Sequence, residues 1–211
     1  MIEIRLGSVA DADAIAHVRR QSWFAAYEGI IAAPIVDRVT AVGSRATAPP
    51  PYRRTLVAVG GDHPAVVGYA SFGPERTVPT AFPAQPPPDN GRPAPAAPAA
   101  RPAAASRTRA ARRAPASHLT PAGRAGRVGE LYALYVTPAW WSTGTGRALM
   151  GSVLAALEAE RYRRVVLWVL ADNARARRFY ERAGFAADGG TNILTGLGGL
   201  LELRYTRPME H

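Results

Sequence analysis

Apolar and polar residues alternate from Ile2 to Leu6, the period of a half-buried strand. The period then lengthens to that of a helix. Ile15, Val18, Ser22 and Ala25/Ala26 fall on one face of Asp11–Tyr27, with Asp11 and Asp13 near its positive N-terminal end. A short helix is expected at Pro34–Val39. Leu56–Val59 and Val66–Phe72 are apolar runs joined by Gly60-Gly61-Asp62-His63-Pro64, which predicts a hairpin. Glu130–Val136 follows as a strand, and Gly144–Glu160 as a helix with Leu149, Val153 and Leu157 on one face. Val165–Leu170 is apolar without interruption, as in a buried central strand. Asn173–Ala183 predicts a helix closed by Gly184 at a left-handed C-cap. Strand pattern returns at Phe185–Ala187 and Gly199–Tyr205. Strands and helices that alternate around an early hairpin predict an α/β fold, one mixed sheet with helices on both faces.

Composition changes this picture in one place. Residues 74–127 hold twelve of the nineteen Pro, long Ala runs and few large apolar side chains. Pro neither continues helices nor donates to sheet ladders, and little here repays the entropy of ordering. The segment reads as a mobile insertion in a single domain spanning 1–211, with a transient helix allowed at Ala103–Ala114. Pro49-Pro50-Pro51 marks a second, shorter loop. The insertion also explains the charge. It carries nine Arg against Glu75 and Asp89, whereas the rest of the chain has seventeen Arg and fourteen acids. Most of the net charge of +10 sits in one odd segment and the rest of the chain is barely basic, a poor footprint for a nucleic-acid-binding domain, so nucleic acid is not the expected partner. There is no Cys, hence no disulfide, zinc–thiolate site or cysteine nucleophile. His17, His63, His118 and His211 lack metal-ligand spacing, and no metal is expected. No apolar run approaches the ~20 residues that cross a bilayer, and Met1-Ile-Glu-Ile-Arg lacks the layout of a signal peptide. A cytoplasmic protein without a membrane partner is the expectation.

Candidate chemistry lies between Glu130 and Arg147, where a strand and a tight loop lead into an amphipathic helix opening at Gly144 and Gly146. Such a helix start presents unpaired N–H groups and positive dipole to an anion, and glycine lets a phosphate approach the backbone. A pyrophosphate is the natural guest, although a Gly-x-Gly loop also serves as an ordinary turn. A second segment follows the apolar strand: Asn173-Ala-Arg-Ala-Arg-Arg-Phe179-Tyr180-Glu-Arg-Ala-Gly184-Phe185. Together the two resemble the acetyl-CoA-binding motifs of the GNAT superfamily, Arg/Gln-x-x-Gly-x-Gly/Ala and Asn-x-x-Ala-x-x-Phe-Tyr-x-x-x-Gly-Phe. Asn173, Ala176, Phe179, Tyr180, Gly184 and Phe185 match the second. Ser22-Trp23-Phe-Ala-Ala-Tyr27-Glu-Gly29 is similar to the Ser-Trp-x-x-x-Tyr-x-Gly segment of many bacterial members, and Leu201–Met209 looks like their last strand. The resemblance covers about 1–73 and 128–208. It departs from the pattern at the loop, where Trp141 replaces the leading Arg/Gln and Ser142 the glycine usual beside it.

The resemblance implies a mostly antiparallel central sheet with splayed fourth and fifth strands. It implies acetyl-CoA as co-substrate and direct transfer to a primary amine without a covalent enzyme intermediate. The acceptor would be a small-molecule or peptide amine, and a homodimer is left open. Leu134 and Val136 would offer backbone contacts to the pantetheine arm, with Trp141, Ser142, Thr143, Gly144, Thr145, Gly146 and Arg147 around the pyrophosphate. Asn173 would fix the pantetheine, cap its helix, or both. Tyr180 would be the general acid toward the leaving sulfur, or a packing aromatic only. Glu130 would be the general base, or a solvated charge at a strand end. Trp23 and Tyr27, four apart on a helix and so on one face, would wall the acceptor site or belong to the core. Arg175, Arg177 and Arg178 would meet the 3′-phosphate or line a solvated helix face. The rival function is an acyl-CoA-binding regulatory or partner-binding module of the same fold without turnover.

Overall fold

The computed structural model describes residues 2–41, 52–60, 65–76 and 127–210, within a compact unit formed by Met1–Phe82 and Gly126–His211. The insertion from Thr77 to Gly126 and the Pro49–Pro51 loop lie outside the described residues. At its expected ends, Pro74 closes a strand, and Glu75, Arg76 and Arg127 lie among the described residues.

Most of the hairpin turn at 60–64 and the helix allowed at Ala103–Ala114 lie outside the described residues. The elements expected within the described residues all form. They are β1 Ile2–Leu6, α1 Ala12–Tyr27, α2 Ala33–Ala41, β2 Arg54–Gly60, β3 Ala65–Pro74 and β4 Val128–Val136. The chain continues with α3 Thr145–Ala159, β5 Arg164–Leu170, α4 Ala174–Arg182, β6 Ala186–Leu194 and β7 Leu200–Pro208. The strands make one seven-stranded sheet in the order β1-β2-β3-β4-β5-β7-β6. Only β4 and β5 run parallel, and every other neighbouring pair is antiparallel. Alternation along the strands divides the core. Ala58, Ala70, Phe72, Leu131, Val165 and Leu167 face α3 and α4, meeting Leu149, Val153 and Leu157. Val57 and Tyr69 lie against Val18 of α1, and Leu170 lies with Trp23, Ile31 and Val36 of the α1–α2 layer.

β6 is longer than its pattern suggests. Asp188-Gly189-Gly190 reads as a turn, yet the strand runs through it as a register shift between Ala187 and Thr191. Asp188 holds this bulge by accepting from Gly190 N at 3.0 Å and from Arg204 Nε at 2.9 Å. Strand pairing with β7 here overrides a local turn signal.

The feature that positions the site is where β4 leaves β5. Their ladder runs only from Val128↔Arg164 to Leu131↔Leu167, although β4 continues to Val136 and β5 to Leu170. At the same point β4 bulges against β3, between Ser71↔Ala133 and Phe72↔Leu131, leaving Tyr132 as the extra residue. A bulge bends its strand, and this one turns β4 away from β5.

Candidate active site

Leu134 and Val136 sit on the splayed part of β4. Thr137 N–H donates to Val67 O across the β3 ladder at 2.9 Å, so by strand alternation the N–H and C=O of Val136 and Leu134 point the other way, toward the gap. The Val136 carbonyl is already taken. Trp141 Nε1 donates to it at 2.7 Å and Ser22 Oγ at 2.9 Å. Leu134 therefore keeps both backbone groups for a guest in the gap, whereas Val136 keeps its N–H. Trp141 thus does a local job: it ties the loop before α3 to the end of β4. Its ring also carries the Arg175 guanidinium, 3.7 Å from the centroid. This places a cation beside the loop where Trp141 stands in the position expected for Arg/Gln.

Past Trp141, Ser142 takes φ +63° and Gly144 φ +97°. Gly144 is the N-cap of α3 and supplies no side-chain cap, and the first helical bond is Ala148 N to Gly144 O at 2.9 Å. The N–H groups of Thr145, Gly146 and Arg147 thus have no partner inside the helix. Thr143 Oγ1 donates to Trp140 O at 2.9 Å and lies 2.8 Å from Thr145 Oγ1, which leaves the Thr145 hydroxyl as donor to it. Thr145 is buried and shapes the loop through its side chain, while Arg147 is exposed beside the helix start. A Cβ added to Gly146 would meet the Phe179 ring at 3.4 Å, so this glycine also marks the close approach of α3 and α4. A left-handed conformation costs a non-glycine residue about 1–2 kcal/mol. Ser142→Gly is therefore expected to leave the fold intact and stabilise it by up to about 1 kcal/mol, part being lost to unfolded-state entropy, as read by thermal or urea unfolding.

Asn173 caps α4: its Oδ1 accepts from Ala176 N at 3.0 Å, and its side chain is largely buried. The far end closes with Gly184 N donating to Glu181 O and Phe185 N to Tyr180 O, both at 3.0 Å, the paired bonds of a Schellman turn. Arg177 donates to Tyr205 Oη and to Ala171 O at 3.1 Å each, and Tyr205 Oη donates to Glu181 at 2.9 Å. Arg177 is thereby used to dock α4 on β7 rather than free for a phosphate. With both ends and one face fixed, Tyr180 is held edge-on to Phe179 and Phe185, at centroid distances of 5.4 and 6.2 Å. Burial, reinforced by Tyr135, pushes the Tyr180 hydroxyl well above the ordinary phenol range, so it keeps its proton throughout neutral pH.

Tyr135 connects the two faces of the gap. It reaches toward α1, where Trp23 and Tyr27 meet edge to face at 5.0 Å and where it packs with both in one cluster. Tyr27 is shifted upward by burial and then by Tyr135, with Tyr180 and Glu202 also within electrostatic range. Tyr180, Tyr27 and Trp23 are thus brought together around the splayed strands.

Glu130 is placed differently from the solvated strand-end charge that was one expectation. It is 1% exposed. Arg76 engages it through the backbone N–H to Oε2 at 2.8 Å, through Nε to Oε1 at 3.1 Å, and through a further guanidinium nitrogen to Oε1. At least three of its roughly four lone-pair sites are occupied. Removing one partner of a buried ion pair strands the other charge. Arg76→Ala is expected to cost about 3 kcal/mol in urea unfolding, the low end for such pairs because Arg76 is 24% exposed. Glu130→Gln added to it is expected to recover part of the loss.

Sequence reasoning passed over Tyr135, Arg76 and Glu202. Tyr135 stood between two residues assigned to the cofactor and by alternation had to face the other side. Arg76 stood inside a segment read as insertion. Glu202 is a lone acid between Leu201 and Leu203, and such a carboxylate in an apolar strand is itself a signal. A separate open groove at the β1 edge, lined by Glu3, Arg5, Asp11, His17 and Val66, contains none of the expected site residues.

The family model "Acetyltransferase (GNAT) family" matches residues 23–185, most of the chain. The chain belongs to this family. Among curated proteins it is similar to a mycothiol acetyltransferase from Beutenbergia cavernae, 47% identical over 57 residues, which are 27% of this chain and 19% of that protein. The matched region thus spans about a fifth of that relative's length. Among solved structures it resembles a PaiA N-acetyltransferase from Thermoplasma acidophilum in complex with coenzyme A. The TM-score is 0.60 at 15% identity, over 99% of each chain. A GCN5-related N-acetyltransferase from Kribbella flavida gives a TM-score of 0.56 at 20% identity, over 99% of this chain and 98% of that one. These two likenesses bear on the fold.

Proposed function

We propose that this chain transfers an acetyl group from acetyl-CoA to a primary amine. The observation that carries the reading is the parting of β4 and β5 beyond Leu131 and Leu167, beside the open helix start at Gly144. A sheet that opens leaves backbone donors and acceptors unpaired, and these need a partner. An extended pantetheine arm with amide groups fits the gap, and a diphosphate fits the N–H groups at 145–147. On this reading Leu134 and the N–H of Val136 bind the arm, and the Asn173 side-chain NH2 is free to add a contact. Trp141, through Arg175, supplies charge at the phosphate end. Membership of a family of acetyltransferases and the names of the relatives support the same activity.

Acetyl-CoA supplies the thioester carbonyl and the leaving sulfur. The acceptor arrives as an ammonium with pKa about 10 and must lose a proton before its nitrogen attacks. Glu130 takes that proton directly or through water at its remaining lone-pair site. As the C–S bond breaks, the Tyr180 hydroxyl donates to the departing sulfur, and the second proton of the new amide nitrogen restores the phenol. Trp23, Tyr27 and Tyr135 wall the amine side and exclude water. The acceptor itself is not carried over from the mycothiol acetyltransferase, because the match covers so little of that protein. Incubation with acetyl-CoA and a panel of primary amines tests the activity. Thiol release matched by an acetylated amine in the mass spectrum is the expected outcome. Cofactor binding with neither product points to the module without turnover.

A further inference from the structure

Two carboxylates, Glu130 and Glu202, are buried on the face of the sheet covered by α1 and α2, at 1% and 2% exposure. Arg76 is bonded to Glu130. Glu202 stands opposite Leu170 on β5 and Asn192 on β6. Among the described residues its one hydrogen bond comes from Asn192 Nδ2, at 3.1 Å to Oε2. Arg76 and Glu130 act on it only from a distance, with opposite signs. Tyr27 of α1 and Tyr135 of β4 lie within electrostatic range of it. A carboxylate taken out of water without an ion pair is costly unless a cation reaches it or it binds a proton. Burial does raise its pKa, the Asn192 bond opposing.

We infer that Glu202 is the cation-recognition residue of the acceptor site, where its under-bonded carboxylate selects an acceptor that carries a protonated amine on an apolar stem. The stem is matched by the surroundings. Trp23, Leu170 and Leu197 are buried in one cluster with Tyr27 and Tyr135 packed on it, and an aromatic wall beside a carboxylate favours an organic ammonium over a hydrated metal ion. The inference rests on the acetyl-transfer reading for its biological meaning, and its test does not require turnover.

The probes are 2-phenylethylammonium and its uncharged counterpart 2-phenylethanol, titrated at neutral pH into the full chain with and without saturating CoA. The expected result is that the ammonium binds about tenfold or more tightly than the alcohol, the worth of one hydrogen bond to a charged group. Glu202→Gln keeps the bond from Asn192, and is expected to erase that preference while alcohol binding, CoA binding and the unfolding midpoint stay as before. Equal binding of the two probes by the unaltered chain, no binding of the ammonium, or a preference that survives in Glu202→Gln overturns the inference. Ammonium binding through Glu202 in a chain that takes up no CoA sustains the inference and sinks the acetyl-transfer reading instead.

Discussion

Tyr180→Phe is expected to lower kcat for acetyl transfer by roughly 10²–10⁴, the usual worth of a general acid. Affinity for acetyl-CoA should change little. The substitution removes one oxygen and leaves the ring, whose edge contacts with Phe179 and Phe185 hold this end of α4. The hydroxyl starts protonated, as an ordinary phenol does, and burial raises its pKa further. The phenol therefore stays protonated across neutral pH and can donate as negative charge builds on sulfur. Lowered kcat with unchanged cofactor affinity is the signature of an interaction made chiefly in the transition state. If kcat in Tyr180→Phe matches that of the unaltered chain, Tyr180 is a packing aromatic and positioning by the splayed strands is the source of the rate.

Gly146→Asp is expected to weaken acetyl-CoA binding on the order of 10²–10³-fold, from one added negative charge a few ångströms from a diphosphate. The new side chain has two places to go. Toward α4 it meets Phe179, 3.4 Å from the Cβ position. Turned back, its carboxylate accepts the N–H groups of the first turn and so fills the anion site from within. An acidic residue suits a helix N-terminus, so the unfolding midpoint should move little while binding collapses. Gly146→Ala is the control. Its Cβ sits at ordinary contact distance from Phe179, and its affinity should stay within about threefold of the parent. Equal losses in both variants would place the effect in the α3–α4 packing rather than in the phosphate site.

How much of this was readable beforehand differs element by element, for physical reasons. Both ends of α4 were legible because a helix cap is local: Asn173 accepts from a residue three positions on, and Gly184 marks the turn that follows. Val165–Leu170 announced a buried central strand by its unbroken apolar run, and it lies between β4 and β7 with all but Trp168 buried. The second half of β6 was hidden because Asp188-Gly189-Gly190 carries a strong turn signal, while the pairing that overrides it lies on β7. The environment of Glu130 was hidden for a related reason. Its partner Arg76 is 54 positions away, in a stretch whose Pro and Ala content pointed to insertion. Trp141 was legible as a departure from the expected loop, but its tie to β4 and to Arg175 was not. That needed its indole N–H on Val136 O and Arg175 on its ring. Patterns of period and capping thus located the framework of the candidate site, and the charges that complete it came from contacts between distant strands.

Titration of the full chain with acetyl-CoA in the absence of any acceptor tests the central claim most directly. Saturable one-to-one binding, strongly weakened by Gly146→Asp and competed by CoA, is the expected result. No heat and no thermal shift at millimolar acetyl-CoA would contradict the cofactor site at Gly144–Gly146, and with it the proposed transfer.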